Sequence, residues 1–425
     1  MKRRVQAIAT LHGTVRVPGD KSASHRSLML SALAAGESTI EGLSAGHDVA
    51  STSRIVLQLG AKRRDESGVV VLTGPPDGLR ASTEPLDCGN SGTTMRLLSG
   101  IVSAVEGTHV LVGDASLSRR PMDRVAIPLG FMGASVEGHG ARVTAPLVVK
   151  GARHLNAIKY QVPTPSAQVK SAILFAGLNA VGETTVHEEI RTRTSTEDMM
   201  RSAGIELRTT DERQGRTVSI SAGRPQNRTW RVPGDPSQAA FFCVLGLIHP
   251  HADIEVVDVE DSPERIGFLH VLSRMGARLE TRSSHVGASL HARSSQLCAT
   301  EIRAHEIPSV DEVPVLTVAA CAATGVSVFR DMGELRLKES DRFAGSIDLA
   351  RRIGCSAWSE GDDFFVEGLG SATRFSDFEI DAGLDHRIVM SSAVAGIAGR
   401  GCDIGGAETV NSSYPKFFDD VRDLQ

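Results

Sequence analysis

Apolar and polar positions along this chain fall into two alternating rhythms. Short runs rich in Val, Ile and Thr, such as Val69 to Leu72, Thr108 to Val112 and Val326 to Arg330, have the length and composition of strands. Between such runs lie segments rich in Ala and Leu, among them Ala23 to Ala35 and Ser237 to Leu247, whose residue types favour helix. Strands alternating with helices in this way predict an α/β fold. The longest apolar stretch, Ala239 to Ile248, is about half of a membrane span. The basic start, Met1-Lys2-Arg3-Arg4, is followed by His12, Gly13, Arg16 and Pro18 before any apolar signal core forms. Neither segment reads as a membrane or export element, and a cytoplasmic protein is expected.

The pattern also repeats. Arg16-Val17-Pro18-Gly19-Asp20 returns letter for letter as Arg231-Val232-Pro233-Gly234-Asp235, about half a chain later, and each copy leads into a small-residue helix, a break and a β-branched run. Within each half a smaller unit recurs at intervals of roughly 70 residues: a turn with a polar residue, a helix, a Gly and a strand. Its starts fall at Lys21, Asn90 and Ser166 in the first half and at Asp235, Asp311 and Asp385 in the second. Six such units predict two similar lobes, the first covering 17–232 and the second 1–16 plus 233–425. The hinge is expected where the halves meet, near Arg16 to Gly19 and Arg231 to Gly234.

Composition narrows the partners. With 41% apolar and 23% charged residues, the 425-residue chain has the balance of a folded soluble protein of two domains. Aromatics at 4% leave little to stack on bases, and a net charge of -5 gives no general pull on polyanions. Nucleic acid and acidic membranes are therefore not expected partners, and an anionic substrate must be gripped by local clusters. The cysteines, Cys88, Cys243, Cys298, Cys321, Cys355 and Cys402, form no C-x-x-C pair and read as buried, reduced thiols.

Candidate chemistry sits where turns open into helices. Gly19-Asp20-Lys21-Ser22-Ala23-Ser24-His25-Arg26 places an ammonium, a hydroxyl and a guanidinium at a helix start, whose unpaired N–H groups favour anions. It is not a P-loop, because Asp20 stands where that motif needs a Gly before the Lys. In Asp87-Cys88-Gly89-Asn90-Ser91-Gly92-Thr93-Thr94-Met95-Arg96, Gly92 lets a ligand approach the backbone closely. Arg119-Arg120-Pro121-Met122-Asp123-Arg124 concentrates guanidinium forks, which grip carboxylates and phosphates in two places. Pro163-Thr164-Pro165-Ser166-Ala167-Gln168-Val169-Lys170-Ser171 repeats the turn-to-helix design with neutral donors. Leu335-Arg336-Leu337-Lys338-Glu339-Ser340-Asp341-Arg342 sets a carboxylate among cations, which suits proton transfer, and Asp385-His386-Arg387 opens another small-residue helix. Capping, solvation or surface ion pairing accounts for any one of these alone. Together they occupy the same place in the repeat and point to a small substrate with two or more anionic groups, enclosed as one lobe closes on the other.

Pro18-Gly19-Asp20-Lys21-Ser22, Asn90-Ser91-Gly92-Thr93-Thr94-Met95-Arg96, Arg120-Pro121-Met122, Ser166-Ala167-Gln168-Val169-Lys170-Ser171, Lys338-Glu339-Ser340-Asp341-Arg342 and Asp385-His386-Arg387 resemble, in order and over essentially the whole chain, the signatures of the 5-enolpyruvylshikimate-3-phosphate synthases. The resemblance implies the enolpyruvyl transferase fold, an inside-out barrel of two lobes, each with three β-α-β-α-β-β units and with both substrates in the cleft. It implies a transferase that moves the enolpyruvyl group of phosphoenolpyruvate to the 5-hydroxyl of shikimate 3-phosphate, releasing phosphate, in aromatic amino acid biosynthesis. A monomer without metal or organic cofactor is expected. Lys21, Ser22, Arg26, Ser166, Ala167, Gln168, Arg193, Asp311 and Lys338 match the shikimate 3-phosphate site. Lys21, Gly92, Arg120, Gln168, Arg342 and Arg387 match the phosphoenolpyruvate site, with Asn90, Arg96 and His386 in support. By resemblance Lys21 or Glu339 protonates the methylene carbon of phosphoenolpyruvate, and Asp311 accepts the proton of the attacking hydroxyl. Arg120, Arg342 and Arg387 hold the carboxylate and phosphate.

The chain departs from the family pattern in two places. Ser412, in Asn411-Ser412-Ser413-Tyr414-Pro415, stands where members often carry a lysine, with Lys416 the candidate substitute. Arg193, in Arg191-Thr192-Arg193-Thr194, stands where many members place Ser and Tyr. The sister family that transfers enolpyruvyl to a UDP-linked amino sugar carries a cysteine in the loop before its Arg-Pro motif, and Gly113 to Pro121 has none. A catalytically silent relative has no need of Lys21, Asp311 and Glu339, and the acidic net charge disfavours the RNA 3′-end cyclases, which share a related repeat.

Overall fold

The computed structural model describes residues 2–284, 286–307 and 309–425. The chain divides into two compact units, one of Lys21–Val232 and the other of the residues through Asp20 together with Pro233–Gln425. Residues 17–20, which the sequence division assigns to the first lobe, thus lie in the second unit. The two copies of the repeated pentapeptide explain why. Gly19 and Gly234 form an antiparallel bridge, Asp20 N donates to Pro233 O at 2.6 Å, and Asp235 N donates to Pro18 O at 2.9 Å.

In the Lys21–Val232 unit one arrangement occurs three times. Leu86–Asp87 runs parallel to Gly107–Val112, which pairs antiparallel with Thr144–Gly151, and that strand pairs antiparallel with Ser135–His139. Helices Gly92–Val102 and Asp123–Phe131 make the connections, giving β-α-β-α-β-β. The sheet of Lys159–Gln161, Glu183–Glu188, Arg216–Ser221 and Leu207–Asp211 repeats the order. In the sheet built on Gly36–Glu41 the first position is filled by Thr229–Arg231, from the far end of the unit's own sequence.

The other unit follows the same plan with one departure. Leu11–Val15 supplies the first strand beside Ala252–Val259, and Glu301–Arg303 opens a second sheet beside Thr324–Arg330. The last sheet has only three strands. Phe378–Asp381 lies parallel to Cys402–Gly405, and Lys2–Val5 takes the antiparallel place beside it. The sequence after Gly405 lacks alternating β-branched positions and instead forms helix Phe417–Arg422, so the sixth unit has no hairpin of its own.

Two kinds of helix follow from two kinds of sequence. Every residue of Pro236–Ile248, Val313–Ala322 and His386–Ala398 is buried, and these helices pack against one another. Gly92–Val102 packs on both Lys21–Leu33 and Ala167–Gly177 in the same way. A helix buried on all sides carries no polar stripe, whereas His47–Gln58 and Arg342–Ile353 pair one buried face with an exposed one. The apolar stretch from Ala239 is one of the buried helices, and among the described residues no helix is long and apolar enough to cross a membrane. One cysteine departs from expectation: Cys298 is exposed, while the other five are buried.

Small residues permit this packing. A Cβ added at Gly100 would be driven into the carbonyl oxygen of Ala172 on the neighbouring helix, and neither backbone can yield without moving a whole element. Gly100→Ala is therefore expected to destabilise the protein by about 1–3 kcal/mol, seen as a lower urea midpoint. An unchanged midpoint would show that the two helices do not approach as described.

Candidate functional site

The first turn of a helix leaves N–H groups without internal acceptors, so an all-buried helix must offer its polarity there. In the Lys21–Val232 unit two of these ends, those of Gly92–Val102 and Ala167–Gly177, are capped by neutral groups. Ser91 Oγ accepts from Thr94 N at 3.1 Å, and Ser166 Oγ accepts from Val169 N at 3.3 Å. These two caps add no negative charge to the positive ends of their helices.

Cations gather at these ends. Lys21, the first residue of Lys21–Leu33, pairs with Asp48 of the next helix and keeps 23% of its side chain exposed. A buried chain of side chains runs alongside: His25 Nδ1 to Thr52 Oγ1 at 2.7 Å, Thr52 to Thr94 at 2.8 Å, and Thr94 to Ser91 at 2.7 Å. Arg96 Nη1 donates to Gln168 Oε1 at 2.5 Å, and Gln168 Nε2 donates to Thr93 Oγ1 at 2.9 Å. Arg120 Nη2 donates to Asn90 Oδ1 at 2.8 Å, and Asn90 Nδ2 to Asp114 Oδ2 at 2.6 Å. Gly92 lies under both guanidiniums, since a Cβ there would stand 3.2 Å from Arg96 Nη1 and 3.3 Å from Arg120 Nη1.

Arg26 makes a second group. Its Nε donates to Thr196 Oγ1 at 2.6 Å, its Nη2 to Ser171 Oγ at 3.0 Å and its Nη1 to the carbonyl of Ser22 at 3.0 Å. Ser166 and Ala167 open the helix that carries Gln168, and Arg193 is half-buried on the segment leading into Ser195–Ser202. The fold thus brings Asn90, Gly92, Arg96, Arg120 and Gln168 together. It links Ser22 to Arg26.

In the other unit the helix ends are acidic. Asp235 caps Pro236–Ile248, and Asp385 caps His386–Ala398 with Oδ1 accepting from Arg387 N at 2.9 Å. Asp385 Oδ2 also accepts from Arg342 Nε at 2.8 Å and from Ser340 Oγ at 2.8 Å. Arg342 Nη1 donates to Asp311 Oδ1 at 2.7 Å, and its Nη2 lies 2.7 Å from Glu339 Oε2. Burial works against this guanidinium's charge, but the carboxylates of Asp385, Glu339 and Asp311 outweigh it and raise its pKa. Burial likewise opposes the charge of Asp385, yet Arg342 and His386 hold its carboxyl below the usual range.

Arg387 joins the same network, with Nη2 3.5 Å from Asp311 Oδ2 and Nη1 donating to the carbonyl of Ser237 at 3.0 Å. Lys338 donates to Glu334 Oε1 at 2.7 Å and to the carbonyl of Ser309 at 3.4 Å. Ser412 reaches His386 Nδ1 at 3.1 Å, whereas Lys416 sits beside Asp420. Several participants were not singled out by their sequence context. Asp48 and Asp114 lie in unremarkable loops and helix starts. Arg265, which pairs with Asp20 and lies 2.9 Å from Asp235, joins the two copies of the pentapeptide, and only the repeat itself hinted at those aspartates.

Buried histidines tie the site to acid stability. Burial, then Lys21 and Arg26, holds His25 well below its ordinary range, while burial and Arg387 push His386 down to about 3. Both bind protons more weakly folded than unfolded, so stability is full above about pH 6.5 and falls as the unfolded chain protonates first. Asp385 adds a further loss only at lower pH, below about 4. His386→Asn is expected to show a smaller drop in urea midpoint between pH 7.5 and pH 5 than the parent. A parent-like drop would remove His386 from this balance.

Known proteins match this chain over essentially its full length. The family model for EPSP synthase (3-phosphoshikimate 1-carboxyvinyltransferase) matches residues 5–421. A 3-phosphoshikimate 1-carboxyvinyltransferase of Synechococcus sp. (strain RCC307) is 42% identical, the match covering 98% of this chain and 97% of its relative. Its counterpart in Streptococcus equi subsp. equi (strain 4047) is 39% identical over 100% of this chain and 99% of its own. Among solved structures, an EPSP synthase from Acinetobacter baumannii has a TM-score of 0.88 at 36% identity, covering 100% of this chain and 98% of that one. Both units, with their repeated α/β sheets and the clusters at their helix ends, lie inside these matches, and the chain belongs to the EPSP synthase (3-phosphoshikimate 1-carboxyvinyltransferase) family.

Proposed function

We propose that this chain transfers the enolpyruvyl group of phosphoenolpyruvate to the 5-hydroxyl of shikimate 3-phosphate and releases phosphate, as a step of aromatic amino acid biosynthesis in the cytoplasm. The observation that carries the reading is the contrast between the two units: neutral helix caps surrounded by Lys21, Arg26, Arg96 and Arg120 in one, acidic caps holding Arg342 and Arg387 in the other. Uncompensated helix ends beside cations favour phosphate and carboxylate groups. Carboxylates held among arginines suit proton transfer.

In this reading Lys21, Ser22, Arg26, Ser166, Ala167, Gln168, Arg193, Asp311 and Lys338 take shikimate 3-phosphate. Lys21, Gly92, Arg120, Gln168, Arg342 and Arg387 take phosphoenolpyruvate. Arg342 commits Nε and one N–H from each terminal nitrogen to its carboxylates, so the described contacts use three of a guanidinium's five N–H groups. Lys21 or Glu339 delivers a proton to the methylene carbon, and positive charge develops at its neighbour. Asp311 accepts the proton of the 5-hydroxyl as the oxygen attacks that carbon. One methyl proton of the tetrahedral adduct then returns to Lys21 or Glu339 as the bond from carbon to the phosphate oxygen breaks, restoring the double bond while the arginines balance the departing charge. These are proton transfers and an addition–elimination on the substrates themselves, and they call for no cofactor. The two units act as lobes hinged where the chain passes from Asp20 to Lys21 and from Val232 to Pro233.

The test is phosphate release from the purified protein given phosphoenolpyruvate with shikimate 3-phosphate, beside UDP-N-acetylglucosamine as the other acceptor. Release is expected with shikimate 3-phosphate alone, and Lys21→Met is expected to lower kcat by about 10²–10⁴-fold. No release with either acceptor would leave a binding protein. Gly92→Ala is expected to raise the KM for phosphoenolpyruvate by about tenfold or more, because its methyl group presses on Arg96 and Arg120. An unchanged KM would place the substrate elsewhere.

A further inference from the structure

We infer that Lys170, Glu188 and Glu197 form a buried device that positions groups binding shikimate 3-phosphate, an inference that rests on the roles of Arg26 and Arg193 proposed above. Lys170 lies in the helix Ala167–Gly177, and its side chain is 0% exposed. Its Nζ stands 2.7 Å from Glu188 Oε2 and 2.7 Å from Glu197 Oε1, on carboxylates that are each 1% exposed. Glu188 ends the strand Glu183–Glu188, and Glu197 lies in the first turn of Ser195–Ser202. One ammonium therefore ties down both ends of the segment that carries Arg193. Between the ties Glu189, Ile190 and Arg191 are exposed, and Thr192 Oγ1 donates back to Glu188 Oε1.

The same anchor reaches Arg26. Thr196, next to Glu197, accepts from Arg26 Nε at 2.6 Å and bonds Ser171 Oγ at 2.5 Å; Ser171, next to Lys170, accepts from Arg26 Nη2 at 3.0 Å. The fold itself does not demand a charge here. The fourth residue of the equivalent helix in the other repeats is Ser24, Met95, Ala239, Leu316 or Val389, each buried and none charged. Two carboxylates around one buried ammonium also form an arrangement that well-packed apolar side chains of similar volume match or exceed in stability. What the triad supplies is position. It holds the segment against the helix so that Arg26 and Arg193 keep one geometry, and it touches no reacting atom.

The test replaces all three charges together, Lys170→Met with Glu188→Gln and Glu197→Gln, so that no carboxylate is stranded, and checks folding by urea midpoint. The KM for shikimate 3-phosphate is expected to rise by about tenfold or more, with kcat and the KM for phosphoenolpyruvate kept within about twofold of the parent. Backbone amides of residues 189–196 are expected to exchange with deuterium faster than in the parent. Thr196→Val, which keeps the triad and cuts its link to Arg26, is expected to show the same split in KM. Parent-like values of that KM in either variant overturn the inference, as does a joint change in both KM values and kcat, which marks general loosening. A parent that releases no phosphate with shikimate 3-phosphate sinks the proposed function instead. The exchange rates then decide the triad on their own, equal rates overturning it and faster rates sustaining it.

Discussion

A helix buried on every side leaves main-chain polar groups unpaired only at its ends, and that constraint organises both units. Its main-chain hydrogen bonds are satisfied internally along its length, and its side chains must be small and apolar to let neighbours approach. Pro236–Ile248 and His386–Ala398 are buried at every position, and at Gly100 the neighbouring backbone comes so close that no Cβ fits. What is left over is the first turn, with N–H groups that need partners. Candidate site residues gather at or near these ends.

The sign of each cap then divides the labour. Serine at positions 91 and 166 satisfies the helix end without adding charge, and the arginines and lysine around it stay electropositive. Aspartate at 235 and 385 satisfies the end and becomes a counter-ion as well. Asp385 serves Arg387 N and Arg342 Nε at once, so removing it would uncap a helix and strand a buried guanidinium in one step. Arg342 is 1% exposed and survives there because three carboxylates surround it.

Buried charged groups that join separate segments fix part of the remaining order. Arg265 is shared by Asp20 and Asp235, the matching last residues of the two pentapeptide copies, and it holds the paired segments beside the Gly19–Gly234 bridge. Lys170 does the same between a strand end and a helix start. Both lie where a salt bridge adds little to stability compared with apolar packing, and where its directional bonds settle which of several close arrangements the chain adopts.

Local chemistry in the sequence determined where helices begin, because caps, turns and prolines act within a few residues of themselves. Lys21, Asp235 and Asp385 stand at or beside helix starts, as the repeated turn pattern predicts, and the repeated pentapeptide by itself divided the chain near its middle. The motifs also held the family resemblance, since their order along the chain needs no coordinates. Tertiary structure alone decided the partners. Asp48 for Lys21, Arg265 between two aspartates and a fully buried Lys170 in what reads as an ordinary helix all depend on residues far away in the chain. It also decided that Thr229–Arg231, Leu11–Val15 and Lys2–Val5 complete sheets whose other strands are distant in sequence, because an unpaired strand edge takes the nearest partner in space, and sequence separation carries no record of that distance.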